Sequence, residues 1–350
     1  MKRFRLFVFV LMTLTISSAG GQPPQETDLR MVLGRFPDPP ALNLEVIETV
    51  ELEGGLRHKI EYTVEPADYL FNRPIDKVRA YLFVPGHKKG QCLPAIVAIH
   101  QDGPFTHLGK DEPAGIKGAE DQRYGVELFE RGYVVIIPDR YGHAERRRIP
   151  NAADAPSEMM RDLGLWLKWA GQLILSGRTH LGKEAYDLMR AVDVLNTLEY
   201  VDTERIGAIG HSAGGNALVY FMFMDRRVKA GVSSCGFFEL LNWFNDETMS
   251  FSNSVFALPN LATVGTSSDY LGHLAPRSFL ITRGLSEMES PEESAKHVEN
   301  TKAIENHARR YYQNLEADER LEAVYFQGGH EFPEEIREQV YKWIDRQFKI

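Results

Sequence analysis

The sequence predicts an α/β domain whose sheet is mostly parallel, with antiparallel strands at its N-terminal edge and helices on both faces. Three observations carry this. Short, continuously apolar runs recur from Ala95 onward; amphipathic helical segments separate them; and three alternating segments precede them. Val46–Val50, His58–Val64 and Val78–Pro85 alternate as half-exposed strands do, and they predict the antiparallel edge. Ala95–Ile99, Tyr133–Ile137, Ile206–Ile209 and Ser278–Thr282 are apolar throughout, as strands covered on both faces must be. Val228–Ser233 and Glu322–Phe326 are shorter versions. Glu184–Leu198 carries Ala185, Leu188, Met189, Val192 and Leu195 at helical spacing, and Pro333–Phe348 carries Ile336, Val340, Trp343 and Ile344 on one stripe.

The chain has 350 residues, 43% apolar and 25% charged, which suffices for a sizeable core and argues against wholesale disorder. A net charge of −9 is the wrong sign for a nucleic-acid partner. Two cysteines are too few for a disulfide scaffold or a four-thiolate site. Cys92 precedes its strand and Cys235 follows another, so they fall at opposite ends of the sheet and no disulfide is expected.

Lys2, Arg3 and Arg5 precede the apolar stretch Leu6–Ile16, and Ser17-Ser18-Ala19 offers small residues for a cut. That is the anatomy of a secretory signal over residues 1–19, with an apolar run too short to span a bilayer. Its removal takes away three positive charges, leaving the mature chain at about −12. The expectation is export to the periplasm or beyond, without stable membrane insertion. Residues 20–40 are rich in Pro, Gly and polar residues and are expected to form an extended lead-in, with one domain over residues 41–350.

In such sheets reactive side chains belong at the carboxyl ends of strands. Gly210-His211-Ser212-Ala213-Gly214-Gly215 follows the strand Ile206–Ile209 and precedes the apolar segment Asn216–Met224. A G-x-S-x-G at a strand-to-helix reversal lifts the serine hydroxyl clear of the sheet at a helix amino terminus, so Ser212 is the candidate nucleophile. Its base should lie late in the chain. Of His273, His297, His307 and His330, only His330 directly follows a strand; His297 and His307 fall on a charged helical segment and are expected to be solvated. The acid should follow the strand Ser278–Thr282, where Glu287 is the first choice and Glu289 lies two residues on. Glu239, after Val228–Ser233, is the alternative. The backbone N–H groups of Ala213 and of Asp102, in His100-Gln101-Asp102-Gly103, are the expected oxyanion donors, each worth about 3 kcal/mol of transition-state stabilisation. The side chains of His100 and Gln101 are expected to brace that loop. No H-E-x-x-H or clustered His/Asp set points to a metal, and no cofactor is expected. Arg146-Arg147-Arg148 is expected to be a solvated loop.

Ala98–Gln101, Gly109–Gly115, Arg131–Asp139, Asp187–Asp193, Val201–Gly207, Leu274–Arg277 and Gly328–His330 resemble the dienelactone hydrolase-like, acetyl xylan esterase-like branch of the α/β-hydrolase superfamily. The resemblance implies carboxylic-ester hydrolysis by a Ser-acid-His triad without a cofactor, on small-molecule or carbohydrate esters. The chain departs from that pattern in two places. Gly284-Leu285-Ser286-Glu287 stands where relatives carry Gly-Leu-Asn-Asp, and the nucleophile is serine rather than the cysteine of dienelactone hydrolases proper. The resemblance fades over 154–177 and 237–270, expected to be insertions over the crevice. Trp166, Trp169, Trp243 and Phe244 lie in them, as a lid or sugar-stacking wall or as ordinary packing of a cap helix.

Overall fold

The computed structural model describes residues 23–102, 107–147, 156–245 and 255–349. The expected signal segment lies outside them. Nine strands form one sheet: β1 (Glu45–Leu52), β2 (Gly55–Glu65), β3 (Asp76–Pro85), β4 (Leu93–Ile99), β5 (Val134–Pro138), β6 (Val201–His211), β7 (Val228–Ser234), β8 (Ser278–Gly284) and β9 (Leu321–Phe326). Their order is β1-β2-β3-β5-β4-β6-β7-β8-β9. β1, β2 and β3 pair antiparallel with one another, β3 pairs antiparallel with β5, and every later pairing is parallel.

Alternate residues of the central strands serve two different cores. Val97 and Ile99 of β4 join one core with α4 (His180–Asn196) and α5 (Ala213–Met224). Ile96 and Ala98 join the other with α2 (Tyr124–Glu130) and α10 (Glu334–Phe348). This period of two with both faces covered is the physical reason these strands read as unbroken apolar runs. α8 (Ser267–Gly272) and α9 (Pro291–Gln313) add Tyr270, Leu271 and Ile304 to the first core. α3 (Pro156–Leu175), α6 (Leu240–Phe244) and α7 (Leu261–Val264) occupy the two stretches expected to be insertions.

The residues expected to be an extended lead-in hold a helix instead. α1 (Glu26–Leu33) buries Leu29, Val32 and Leu33 in the first core. The Leu33 carbonyl accepts from Thr179 Oγ1 at 2.8 Å, and Thr179 caps α4 by accepting from Gly182 N at 3.0 Å. An apolar face with a partner to bury against overrides the weak helix propensity of so short a segment.

From β4 the chain moves to β5 on one side, then returns to β6 on the other side of β4. The connections leaving the carboxyl ends of β4 and β6 therefore diverge, and a crevice opens at that switch point. Asp102 follows β4 and Ser212 follows β6, so the topology alone brings them to one place.

Candidate active site

Ser212 occupies the turn between β6 and α5 with φ 52° and ψ −127°, a conformation costing about 1–3 kcal/mol for a residue with a side chain. Its N–H is held by the Ser234 carbonyl at 2.8 Å. The turn is tight enough to exclude side chains on either side. A Cβ on Gly210 would lie 2.5 Å from the Gly214 carbonyl, and one on Gly214 would lie 2.3 Å from the Ile99 carbonyl oxygen. The glycines of the motif are thus a packing requirement, and the strain they permit projects the hydroxyl outward.

His330 sits in the loop between β9 and α10. That loop is clamped to the one after β8: Leu285 N donates to Phe326 O at 2.9 Å and Ser286 N to Gly328 O at 2.8 Å. A Cβ at Gly284 would lie 2.2 Å from the Gly329 oxygen, so the two loops can approach only at glycine. The result is a continuous hydrogen-bonded row. His330 Nε2 lies 2.8 Å from Ser212 Oγ, and His330 Nδ1 lies 3.0 Å from Glu287 Oε2. The imidazole is 43% exposed, while the Glu287 carboxylate is only 2% exposed.

Glu287 is ionised where it sits. Burial pushes its carboxyl up, but the His330 hydrogen bond and the Arg283 charge outweigh burial and bring it down to about 2. Arg283 Nη1 donates to Oε2 at 2.9 Å and Gly284 N to Oε1 at 2.8 Å. A carboxylate can only accept, so His330 must carry its proton on Nδ1, leaving Nε2 free to accept from the serine hydroxyl. These two donors hold the carboxylate of the longer glutamate within hydrogen-bond distance of His330 Nδ1.

Two neighbours complete the support. His211 is fully buried, with its ring centroid 5.0 Å from that of His330 and its face stacked on Phe332. Burial, with His330 beside it, holds it well below the ordinary histidine range, so it packs as a neutral ring. His297 corrects the expectation of a solvated side chain: its Nε2 accepts from Arg283 Nη1 at 2.9 Å, and burial followed by the Arg283 charge lowers it to about 4. His307 likewise is engaged, 2.5 Å from Asp269.

The alternative acids are not at the ring. Glu239 is buried under other duties, accepting from Ser267 N and Ser268 N at 3.0 Å and from Ser268 Oγ at 2.8 Å. It caps α8 and also accepts from Leu241 N in α6. Glu289 lies on the exposed side of the loop, and the His330 Nδ1 partner is Glu287.

Ala213 opens α5, so its N–H is one of those for which a helix has no internal acceptor. His100 and Gln101 brace the β4 loop as expected: His100 Nε2 accepts from Arg140 N at 2.9 Å, and Gln101 Nε2 donates to Glu112 at 3.2 Å. The Asp102 side chain is held by Arg140 Nη1 at 2.6 Å and lies 2.9 Å from His143 Nε2. Burial raises its carboxyl, and the Arg140 and His143 partners more than reverse that, so it is held as a carboxylate.

The arginine run is not a solvated loop. Arg146 is buried between Asp76 and Asp187, each at 2.8 Å, and Arg147 is buried as well; Arg148 lies outside the described residues. Sequence reading missed this because the partners lie 70 and 41 positions away. Trp166 packs edge-on against His143 and His180 with centroids 5.5 and 5.2 Å apart, and Trp243 contacts Phe238. Cys92 and Cys235 are free and lie at opposite ends of the sheet, one exposed and one buried. Among the described residues, Cys235, Glu287 and His330 bring metal-type donor atoms within 4.8 Å of one another, but there Glu287 is already held by His330 and Arg283. No described helix is long and apolar enough to cross a membrane.

A Bacillus subtilis protein named "Putative hydrolase YtaP" is 25% identical over 271 residues, covering 77% of this chain and 82% of its own. Among solved structures, a "putative acetyl xylan esterase" from Bacteroides fragilis superposes with a TM-score of 0.65 at 17% identity, covering 92% of this chain and 87% of its own. A glucuronoyl esterase from Solibacter usitatus gives a TM-score of 0.60 at 16% identity, covering 92% and 91%. These likenesses share the α/β-hydrolase fold with this chain. Residues 175–349, half of the 350-residue chain, match the sequence profile of the prolyl oligopeptidase family, and the chain belongs to that family of α/β-hydrolase-fold hydrolases.

Proposed function

We propose that the protein is an exported serine hydrolase that cleaves carboxylic esters, including acyl esters of carbohydrates, through an acyl-enzyme. The observation that carries this reading is the row Ser212–His330–Glu287, with its 2.8 and 3.0 Å contacts and its buried, ionised carboxylate. In the proposed mechanism Ser212 Oγ attacks the ester carbonyl while His330 Nε2 takes its proton. Glu287 accepts the Nδ1–H and stabilises the imidazolium. The N–H groups of Ala213 and Asp102 receive the oxyanion, and the helix dipole of α5 favours the same negative charge. His330 then protonates the departing alcohol and activates water for deacylation. No metal or cofactor takes part in these steps.

Replacing Ser212 tests the reading. Ser212→Ala is expected to lower kcat on p-nitrophenyl acetate by at least about 10³-fold and to abolish labelling by a fluorophosphonate probe. Near-normal turnover by this variant would locate the chemistry elsewhere, and absence of labelling in the unaltered protein would favour a binding protein on a hydrolase scaffold.

A peptidase or amidase reading has a specific support in the family match over residues 175–349. Side-by-side assays with acetylated and uronoylated glycans, aryl esters and aminoacyl-anilides separate the two. Faster anilide cleavage would replace the ester reading. For export, the support is the charged, apolar and small-residue order of residues 1–19. N-terminal sequencing of protein recovered outside the cytoplasm should begin near Gly20.

A further inference from the structure

We propose that Arg140 is the positioning residue that fixes the oxyanion loop His100–Asp102 against the Ser212 elbow, with Glu184 of α4 as its anchor. This rests on the serine-hydrolase reading above and assigns a residue that the reading does not use.

The sheet fixes β4 only as far as Ile99, whose register partner is Gly210. Beyond it, His100–Asp102 is chain without strand pairing, yet it must hold a backbone N–H within hydrogen-bond distance of a developing oxyanion. Arg140 supplies the missing constraint from the turn after β5. Its backbone N donates to His100 Nε2 at 2.9 Å, its Nη1 donates to the His100 carbonyl at 3.3 Å, and the same Nη1 holds Asp102 Oδ1 at 2.6 Å. A ring nitrogen, a carbonyl and a carboxylate of one short loop thus converge on one residue. On its far side Nη2 lies 2.7 Å from Glu184 Oε1, a carboxylate 0% exposed, and the Arg140 side chain is itself 1% exposed.

The loop held in this way is in direct contact with the elbow. A Cβ on Gly214 would lie 2.6 Å from the His100 oxygen, so a shift of His100 by a few tenths of an ångström is transmitted to both expected donors. The planar, rigid guanidinium donates to two acceptors of the loop while keeping its charge beside Glu184, an arrangement that a lysine ammonium does not reproduce. Oxyanion stabilisation depends steeply on such placement, because the donors act only on charge that develops in the transition state.

The test compares Arg140→Gln and Arg140→Lys in the full chain, using p-nitrophenyl acetate and an alkyl trifluoromethyl ketone. The Ser212 oxygen adds to the ketone carbonyl carbon as its O–H bond breaks and the proton passes to His330 Nε2, and the carbonyl π pair moves onto oxygen, which becomes an anion in the tetrahedral adduct. Arg140→Gln is expected to lower kcat by about 30- to 100-fold with KM within about threefold, since a misplaced oxyanion donor costs turnover rather than ground-state binding. The ketone inhibition constant should rise in step with the fall in kcat/KM. Arg140→Lys keeps the buried charge and should recover part of both. Where Arg140→Gln does not fold, Arg140→Lys decides alone: an unchanged kcat and ketone affinity in a folded variant would overturn the assignment. A fall in kcat without weaker ketone binding would also overturn it, since that marks a merely structural role. The serine reading fails separately, by continued turnover in Ser212→Ala.

Discussion

Glu287 is the residue that orients the exposed His330 ring, and in the proposed mechanism it makes that ring a directed base. Its carboxylate is fixed by three donors, from His330, Arg283 and Gly284. Glu287→Gln keeps the shape but replaces one acceptor by an amide group, which no longer enforces the Nδ1–H tautomer. It is expected to lower kcat on p-nitrophenyl acetate by about 10³–10⁴-fold and to lower the melting temperature as well, because the buried Arg283 loses its counter-charge. Glu287→Asp keeps the charge and withdraws it by one methylene, so its kcat should fall between those of the parent and Glu287→Gln. Equal activity in all three, measured at saturating ester, would remove Glu287 from the site. At this scale Ser212 and His330 were readable from their neighbours, since glycines and strand ends declare a tight turn. Glu239 and Glu289 were not separable from Glu287 by sequence, because what distinguishes them is which one meets the imidazole Nδ1 and which one caps α8.

Among the elements, α1 is one that local pattern could not supply. Glu26–Leu33 carries only a short apolar stripe, and its value depends on the Thr179 end of α4 and on Tyr270, whose hydroxyl donates to the Leu29 carbonyl at 2.8 Å. Leu33 is 0% exposed. Leu33→Ala is therefore expected to cost about 2–5 kcal/mol of stability, seen as a lower urea midpoint, with kcat per folded molecule preserved. A midpoint unchanged by that substitution would show that α1 is not part of the cooperative fold. The strands behaved oppositely. The central segments of β4, β5, β6 and β8 were legible because burial on both faces favours apolar residues on both, a demand that chain sequence states directly.

Over the whole molecule, neutral buried histidines set a pH limit distinct from that of the carboxylates. His297 is lowered to about 4 from an unfolded value of 6.5, so below pH 6.5 the unfolded chain binds a proton that the folded chain refuses. Stability contributed by this neutral ring is present above pH 6.5 and is lost as pH falls toward 4. His100 and His211, held well below the ordinary range by burial first, act with the same sign. Glu287 acts lower: its contribution is full above the unfolded value of 4.5 and is lost as pH falls toward 2. Thermal melts at pH 7, 5.5 and 4.5 should show a falling melting temperature, and His297→Gln should reduce that slope. An equal slope in the variant would take His297 out of the account. The buried ion network belongs to this scale too. Lys183 meets Asp187, Asp76 and Glu65 at 2.6, 2.7 and 3.1 Å, and Arg146 shares two of those carboxylates.

The sequence by itself determined the layer order of the fold, the position of the serine turn and the late histidine, because each is imposed by local demands: apolar continuity for doubly covered strands, glycine where backbones touch, small residues around a strained turn. Tertiary structure alone decided which glutamate meets the imidazole, where the arginines of 140 and 146 find their carboxylates, and that α1 folds at all. Those outcomes depend on partners tens to hundreds of positions away, whose free energy exists only after the sheet has brought them together.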